Sequence, residues 1–387
     1  MEHGTAPRVT RLMLSDFRSY AALDLHVGEA PLVALVGDNG VGKTNLMEAL
    51  SLLTPGRGLR RADFSELARH GGSGGFTIAA TLLGPAGDTR LGTGYLPAGP
   101  DGSGGRICRI DGVTVSASSA FADYLRVVWL TPALDGLFAG PAGDRRRFLD
   151  RLVLAVDASH GSRVNAFEKA MRSRNRLLAE DVPPQAWLDA VERELAELAV
   201  AVSAARAETV ARLAALIEAT RDGASPFPSA DVKLEGEIEA MIGVMPAVEV
   251  EDRYRAMLRD GRARDRAAGR TLTGPQASDL VVRHRAKALP AEQCSTGEQK
   301  ALLIGLVLAH ARLVATMSGI APIVLMDEVA AHLDPRRRAA LYQALDALGS
   351  QVWMTGADPA LFADLPRQAA CFLITPGHAA QYEAAQV

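Results

Sequence analysis

Residues Gly37-Asp38-Asn39-Gly40-Val41-Gly42-Lys43-Thr44 follow the pattern G-x-x-x-x-G-K-[ST], and what flanks them decides how the chain folds. Glycines let the backbone turn back and aim its N–H groups at phosphate oxygens, at the positive end of a helix dipole. Lys43 can reach the β/γ-phosphates, and the Thr44 hydroxyl can ligate Mg2+. Upstream, Leu32-Val33-Ala34-Leu35-Val36 reads as a strand buried on both faces. Downstream, Leu46, Leu50 and Leu53 fall on one face of a helix that starts at Lys43. A buried strand, a phosphate loop and an amphipathic helix predict an α/β nucleotide-binding core.

A second strand of the same kind lies far along the chain. Ile323-Val324-Leu325-Met326 is apolar throughout and ends in Asp327-Glu328. Carboxylates at the C-terminal end of a central strand face the crevice where α/β sheets bind ligands. Asp327 is therefore the candidate Mg2+ residue beside Thr44, and Glu328 the candidate catalytic base that polarises water. Before this strand, Cys294-Ser295-Thr296-Gly297-Glu298-Gln299-Lys300 opens a long apolar helix and reads as a capping box. A Ser-x-Gly turn at a helix N-terminus is also an anion site. The phosphates of one nucleotide are already claimed by Gly37–Thr44, so Ser295–Gln299 is expected to serve the nucleotide of a second copy.

The rest of the chain frames these motifs. Its 387 residues are 48% hydrophobic and 22% charged, enough for a sizeable core, which excludes a disordered protein. No uncharged apolar run of about 18 residues is evident, so no membrane span is expected. The N-terminus lacks a signal-peptide layout. Cys108, Cys294 and Cys371 are too scattered for a disulfide framework or zinc site. Together these predict a cytoplasmic protein. Strands are expected over 8–36, short strands and turns over 71–118, and helices from Asp144 to Asp222 interrupted at Pro183-Pro184. Leu188, Val191, Leu195, Leu198, Val202 and Ala205 make a short heptad seam, predicting an antiparallel helical arm. Ser225-Pro226-Phe227-Pro228 breaks the helix, Val232 to Ile238 alternates like a strand, and a helix is expected from about Glu298 to Met317. The expected parts are 1–130 and 289–387, together an ATPase head, and a mainly helical lobe over 131–288 between them.

This order of motifs resembles ATP-binding-cassette ATPases of the SMC-like type, in which ATP is sandwiched head-to-tail between two subunits. Further stretches are similar to the RecF family of bacterial recombination mediators. They are Leu14-Ser15-Asp16-Phe17-Arg18-Ser19-Tyr20, Gly37 to Asn45, Arg146-Arg147-Phe148-Leu149-Asp150, Gly274-Pro275 to Leu280, Ser295–Lys300, Leu325–Glu328 and Leu333-Asp334. The resemblance implies ATP and Mg2+ as cofactors, an ATP-dependent homodimer with Asp334 in a dimer loop, and weak, DNA-stimulated ATP hydrolysis used as a switch. It also implies a role in DNA replication, recombinational repair and the SOS response. There the dimer would close around DNA at gaps or junctions and help to load the recombinase, with other mediator proteins as partners. Three positions depart from the family pattern: Thr355-Gly356 stands where a phosphate-sensing histidine is expected, Ala133-Leu134 replaces two carboxylates, and Gln276-Ala277 replaces His-Arg.

Net charge is −3, with 37 arginines among 42 basic residues. Asp144 to Arg176 holds nine basic residues against four acidic ones, and Arg253 to Lys287 holds ten against three. Charge runs are commonly solvated faces. The resemblance points instead to sequence-independent contacts with the DNA backbone, with Arg145, Arg146, Arg147, Arg262, Arg264 and Arg266 as candidates. Two other classes compete. A transporter ATPase subunit shares these motifs but has no room for so long an insert. A nucleotide-binding interaction protein with vestigial hydrolysis is the alternative that Thr355 and Ala133 keep open.

Overall fold

The computed structural model describes residues 6–84, 87–99, 104–220, 227–366 and 368–382. The chain divides into two compact units. The first comprises Met1–Asp135, Ala224–Phe227 and Leu303–Val387, and the second Gly136–Gly223 and Pro228–Leu302.

The first unit begins with β1 (Arg8–Phe17), β2 (Tyr20–His26), β3 (Leu32–Val36) and α1 (Lys43–Ser51). Then come β4 (Phe76–Gly84), β5 (Gly87–Leu96), β6 (Gly105–Ile110), β7 (Val113–Val115) and β8 (Val127–Leu130). β1, β2 and β4 to β7 form an antiparallel sheet in the order β2-β1-β4-β5-β6-β7. Buried and more exposed side chains alternate along β4, as expected of a sheet with one covered face.

The second unit is mainly helical: α2 (Ala142–Val156), α3 (His160–Ala179), α4 (Gln185–Ala219), α5 (Glu237–Ile242), α6 (Ala247–Asp260) and α7 (Arg262–Ala268). A three-stranded antiparallel sheet joins them, β9 (Ala230–Glu235), β10 (Asp279–His284) and β11 (Leu289–Pro290), in the order β11-β10-β9. Helix α8 (Thr296–Ser318) starts in this unit and ends in the first.

The first unit then resumes with β12 (Ile323–Met326), α9 (Pro335–Asp346), β13 (Val352–Gly356), β14 (Ala370–Thr375) and β15 (His378–Tyr382). Its second sheet runs β15-β14-β3-β13-β12-β8, parallel except for β15. β3, β12 and β13 are buried at every position, which is why they read as continuous apolar runs. One core, including Leu12, Phe17, Leu35, Leu46, Leu50, Trp353 and Phe372, is shared by both sheets and α1. Gln351 ties the sheets together: its amide binds the N–H of Val9 at 2.9 Å and the carbonyls of Val9 and Ala30 at 3.0 and 3.1 Å. The half-buried Arg106 guanidinium caps the far end of α1 by donating to the carbonyls of Leu52, Thr54 and Gly56. A cation at a helix C-terminus is favoured by the helix dipole.

The structure corrects four sequence expectations. First, a break at Asp157–Ser159 separates α2 from α3, in addition to the one at the prolines. Second, α4 is no two-stranded arm. Its buried stripe runs through Leu195, Ala196, Ala199, Val200 and Val202, wider than a heptad seam, and packs with Phe167 of α3, Ile238 of α5 and Val250, Tyr254 and Leu258 of α6. Third, the strand near 232 ends at Glu235, and Ile238 lies in α5. Fourth, Thr296–Ser318 is long and apolar enough to cross a membrane by length and composition, with mean hydropathy 1.7. Since 67% of that window is buried inside the fold, its apolar side chains already have protein partners. Asp222 and the expected helix breaker at Ser225-Pro226 fall outside the described residues.

The second unit also buries an ionic hub. Arg174, fully buried, donates to Glu192 at 2.9 Å, Asp265 at 2.7 Å, Thr271 at 2.8 Å and the Leu258 carbonyl at 2.6 Å. Removing the guanidinium would leave the buried Asp265 carboxylate without its close counter-ion and Glu192 with Arg262 alone. Arg174→Met is expected to destabilise the second unit by about 3–5 kcal/mol, measured as a lower denaturant midpoint; an unchanged midpoint would show that the hub contributes nothing net.

Candidate functional site

The parallel register of three strands assembles the site in the first unit. β3 lies beside β13, pairing Leu35 with Thr355 and Val36 with Gly356; β13 lies beside β12, pairing Met354 with Met326. The residues just past these pairs are therefore neighbours: the glycine-rich loop after Val36, and Asp327-Glu328 after Met326. Gly37 N–H closes the arrangement by bonding the Gly356 carbonyl at 3.3 Å.

The loop leaves Asp38, Asn39 and Gly40 exposed at its crest, while Gly42 and Lys43 are buried. Gly42 sits at φ 114°, and a side chain there would meet the Ser19 and Tyr20 hydroxyls at 2.7 and 2.8 Å. Only glycine fits this position. The Tyr20 hydroxyl donates to the Gly42 carbonyl at 3.2 Å. Thus the β1–β2 hairpin, within Leu14–Tyr20, braces the loop. Lys43 Nζ donates to the carbonyls of Gly37 at 2.6 Å and Asp38 at 2.8 Å, which holds the ammonium inside the loop. Burial pushes its pKa below the usual lysine value, against the opposing pull of Glu328, Asp327 and Asp38.

Thr44 and Asp327, 283 positions apart, are in direct contact: the Thr44 hydroxyl is 3.0 and 3.2 Å from the two carboxylate oxygens. A hydroxyl and a carboxylate so placed are a fitting oxygen donor set for Mg2+. Glu328 follows in the left-handed region, φ 52° and ψ 20°. Thr355, almost fully buried, donates to Asp327 Oδ1 at 2.8 Å and accepts the Glu328 N–H at 2.9 Å. Sequence reasoning treated Thr355 only as a departure; its position at the end of the apolar run Val352-Trp353-Met354 was the available signal. It also missed Glu48. This buried carboxylate takes both guanidinium arms of Arg18 at 2.8 and 2.9 Å and one of Arg60 at 2.8 Å, while Arg60 also bonds Asn45 at 2.9 Å. Its place within the apolar pattern of α1 hid it.

Ser295, Thr296 and Gly297 belong to the second unit and are exposed, with open space above Gly297. The capping box is present: Ser295 Oγ accepts the Glu298 N–H at 3.4 Å, and Glu298 accepts the Ser295 N–H at 3.1 Å. Gln299 turns inward onto the Cys294 carbonyl at 2.9 Å. Asp334 caps α9 by accepting the Arg337 N–H at 2.9 Å.

Several candidate DNA arginines are engaged within the fold. Arg145 forms a two-armed pair with Asp279 at 2.8 and 2.6 Å, and Arg146 donates to the Ser278 carbonyl at 2.7 Å. Arg262 bonds Asp189 at 2.6 Å and Glu192 at 2.5 Å. The charges of Arg145 and Arg262 are thus already paired with carboxylates inside the second unit. Arg147 pairs with Asp144 at the surface. Arg264 and Arg266 are exposed; Arg264 bonds the Thr273 hydroxyl at 3.0 Å and approaches Asp265 loosely at 3.9 Å, and Arg266 bonds the carbonyls of Glu180 at 2.8 Å and Asp181 at 3.4 Å.

A parallel core sheet with a phosphate loop after β3 and paired carboxylates after β12 defines an SMC-like ATP-binding-cassette ATPase head. The Smc head domain from Pyrococcus furiosus shares this fold, with a TM-score of 0.52 at 16% identity over 97% of this chain and 96% of that one. A solved structure described as the recombination mediator protein RecF-ATPrS in the RecFOR pathway matches with a TM-score of 0.84 at 19% identity, over 98% of this chain and all of that one. A family model for an AAA domain, described for the AbiEii toxin of type IV toxin–antitoxin systems, matches residues 178–358. The DNA replication and repair protein RecF of Mesorhizobium japonicum is 55% identical over 95% of this chain and 96% of its own length. The chain belongs to the RecF family.

Glu298 offers a direct test of the cap. The Lys287 ammonium, then the Ser295 N–H and hydroxyl, lower its carboxyl from 4.5 to about 2. A depressed carboxyl favours the folded cap above pH 4.5, and that contribution fades as pH falls towards 2. An NMR titration should place the Glu298 midpoint near 2, and Lys287→Met should raise it; a midpoint unmoved by that substitution would remove Lys287 from the cap.

Proposed function

We propose that this chain is an ATP-switched DNA-binding protein of DNA replication and recombinational repair, using a composite ATP site built by two copies. The observation that carries the reading is the contact between Thr44 and Asp327, which brings the phosphate loop and the acidic strand end together. In this reading Gly37–Asn45 cradles the phosphates, with Lys43 supplying positive charge to them. Thr44 and Asp327 would hold Mg2+, and that ion would supply neutralisation of phosphate charge. Glu328 orients and deprotonates the attacking water.

The exposed Ser295-Thr296-Gly297 turn, with Glu298 and Gln299 behind it, is proposed to meet the γ-phosphate held by a second copy, with Asp334 at the same seam. ATP would thus close a dimer, and slow hydrolysis would release it. The reading extends to action at DNA gaps or junctions beside other mediator proteins, ahead of recombinase loading, in the cytoplasm; what supports it is membership of a family whose relatives are described as DNA replication and repair proteins. DNA would be gripped through phosphates, with Arg264, Arg266 and Arg147 as the candidates whose charges are not held by buried carboxylates.

Two measurements test the two halves. Glu328→Gln keeps the side chain's shape and removes the base, so ATP should bind as before, turnover should fall roughly a hundredfold or more, and dimers should accumulate in gel filtration with ATP. Ser295→Arg should bind ATP but remain monomeric; parental dimerisation of that variant refutes the two-copy site. For DNA, each lost phosphate contact lowers the log–log salt slope by a little under one unit, about 0.9 on duplex. Arg264→Gln with Arg266→Gln should therefore weaken binding equally on unrelated sequences and flatten the slope by about two units in fluorescence anisotropy. An unchanged slope assigns these arginines to the solvated surface.

A further inference from the structure

Thr355 stands where the family resemblance implies a histidine facing phosphate, and its surroundings give it a different task. It lies in β13, the strand between β3 and β12, one residue past the Met354–Met326 pair and therefore level with Asp327. The residue is 1% exposed. A hydroxyl has one proton and two lone pairs, an ionised carboxylate can only accept, and a backbone N–H can only donate. The directions of the two bonds are thus fixed: Thr355 spends its proton on Asp327 Oδ1 at 2.8 Å and a lone pair on the Glu328 N–H at 2.9 Å. A hydroxyl committed in this way, beneath the carboxylates, has no proton left for a phosphate.

Both of its partners need holding. Asp327 Oδ1 also takes the Thr44 hydroxyl at 3.0 Å, so its carboxylate is fixed from the loop side and the strand side at once. Glu328 has φ 52°, a left-handed conformation that is strained for a non-glycine residue and persists only when its surroundings impose it. The Thr355 hydroxyl is the side-chain group bonded to the Glu328 N–H, and hence a fixed point for the turn that sets the direction of the Glu328 side chain. We infer that Thr355 is a positioning residue for hydrolysis: its hydroxyl orients Asp327 and locks the Glu328 turn, without touching the nucleotide.

This inference rests on the proposed ATP site, and its test separates the two. Thr355→Val keeps the shape and the β-branch and removes both hydrogen bonds; Thr355→Ser keeps the hydroxyl. Titration with a fluorescent ATP analogue and Mg2+ measures binding, and single-turnover hydrolysis of ATP measures the chemical step. Binding to Thr355→Val should stay within about twofold of the parent, since Lys43 and the loop make no bond to this hydroxyl, while hydrolysis falls roughly ten- to hundredfold. Thr355→Ser should retain the rate within about threefold. If Thr355→Val lowers the melting temperature, Thr355→Ala provides the second hydroxyl-free variant, compared with Ser in the same way. Parental hydrolysis without the hydroxyl, an equal loss in Ser and Val, or a loss of binding as large as the loss of rate would each overturn the inference. Glu328→Gln is measured alongside: parental hydrolysis in that variant overturns the site reading itself, whereas a dead Glu328→Gln beside a fully active Thr355→Val overturns only the role of Thr355.

Discussion

The Asp327 carboxylate is the point on which the first unit converges. It accepts hydroxyl protons from Thr44, at the start of the helix after β3, and from Thr355, at the end of β13. Three segments far apart in the chain are thereby fixed against one another at one end of a parallel sheet. The sheet makes this possible because parallel neighbours place equivalent strand ends together, and because β3, β12 and β13 are buried on both faces and have little freedom to slide. A carboxylate in such a place would be costly unless its lone pairs were satisfied. Two hydroxyls and the approach of Lys43 meet that requirement, and the same groups form a donor set suited to a metal and phosphates.

The surroundings of the loop serve the same end. Tyr20 leaves room above Gly42 for no side chain, so loop shape and hairpin shape are coupled. At the other end of α1, Arg106 gathers the carbonyl of Leu52, just past the helix, and that of Thr54 in the turn that follows. Between them, Glu48 binds Arg18 from the hairpin and Arg60 from the following loop. The helix is thus gripped at its start, middle and end, and its first turn is held where the loop's N–H groups must point.

What the amino-acid pattern revealed follows from this division. Elements whose function needs local order were legible: a glycine-rich loop must be contiguous, a doubly buried strand must be apolar throughout, and a capping box must have its serine and glutamate three residues apart. Contacts made across the fold were not. Nothing local marks Glu48 as the acceptor of two arginines or Thr355 as the partner of Asp327, because each looks ordinary within its own helix or strand. The heptad seam of α4 misled for a related reason. Leu188 to Ala205 repeats at 3.5-residue spacing over too short a span to distinguish a coiled coil from a helix packed on several sides, and α3, α5 and α6 supply those sides.

The arginines show why charge runs are weak evidence taken alone. Runs of basic residues in the second unit contain three kinds of side chain that composition cannot separate. Arg174 is buried and binds two carboxylates; Arg145 and Arg262 are partly covered and bind one or two; Arg264 and Arg266 are exposed and bond mainly to uncharged oxygens. A guanidinium that holds two elements together through a carboxylate is already neutralised, and bringing it to a phosphate would leave that carboxylate unpaired. The third kind, like Arg147 in its surface pair with Asp144, carries charge that a polyanion could take up without disturbing the fold. Any electrostatic attraction of this protein for DNA must therefore be reckoned from far fewer arginines than the sequence displays.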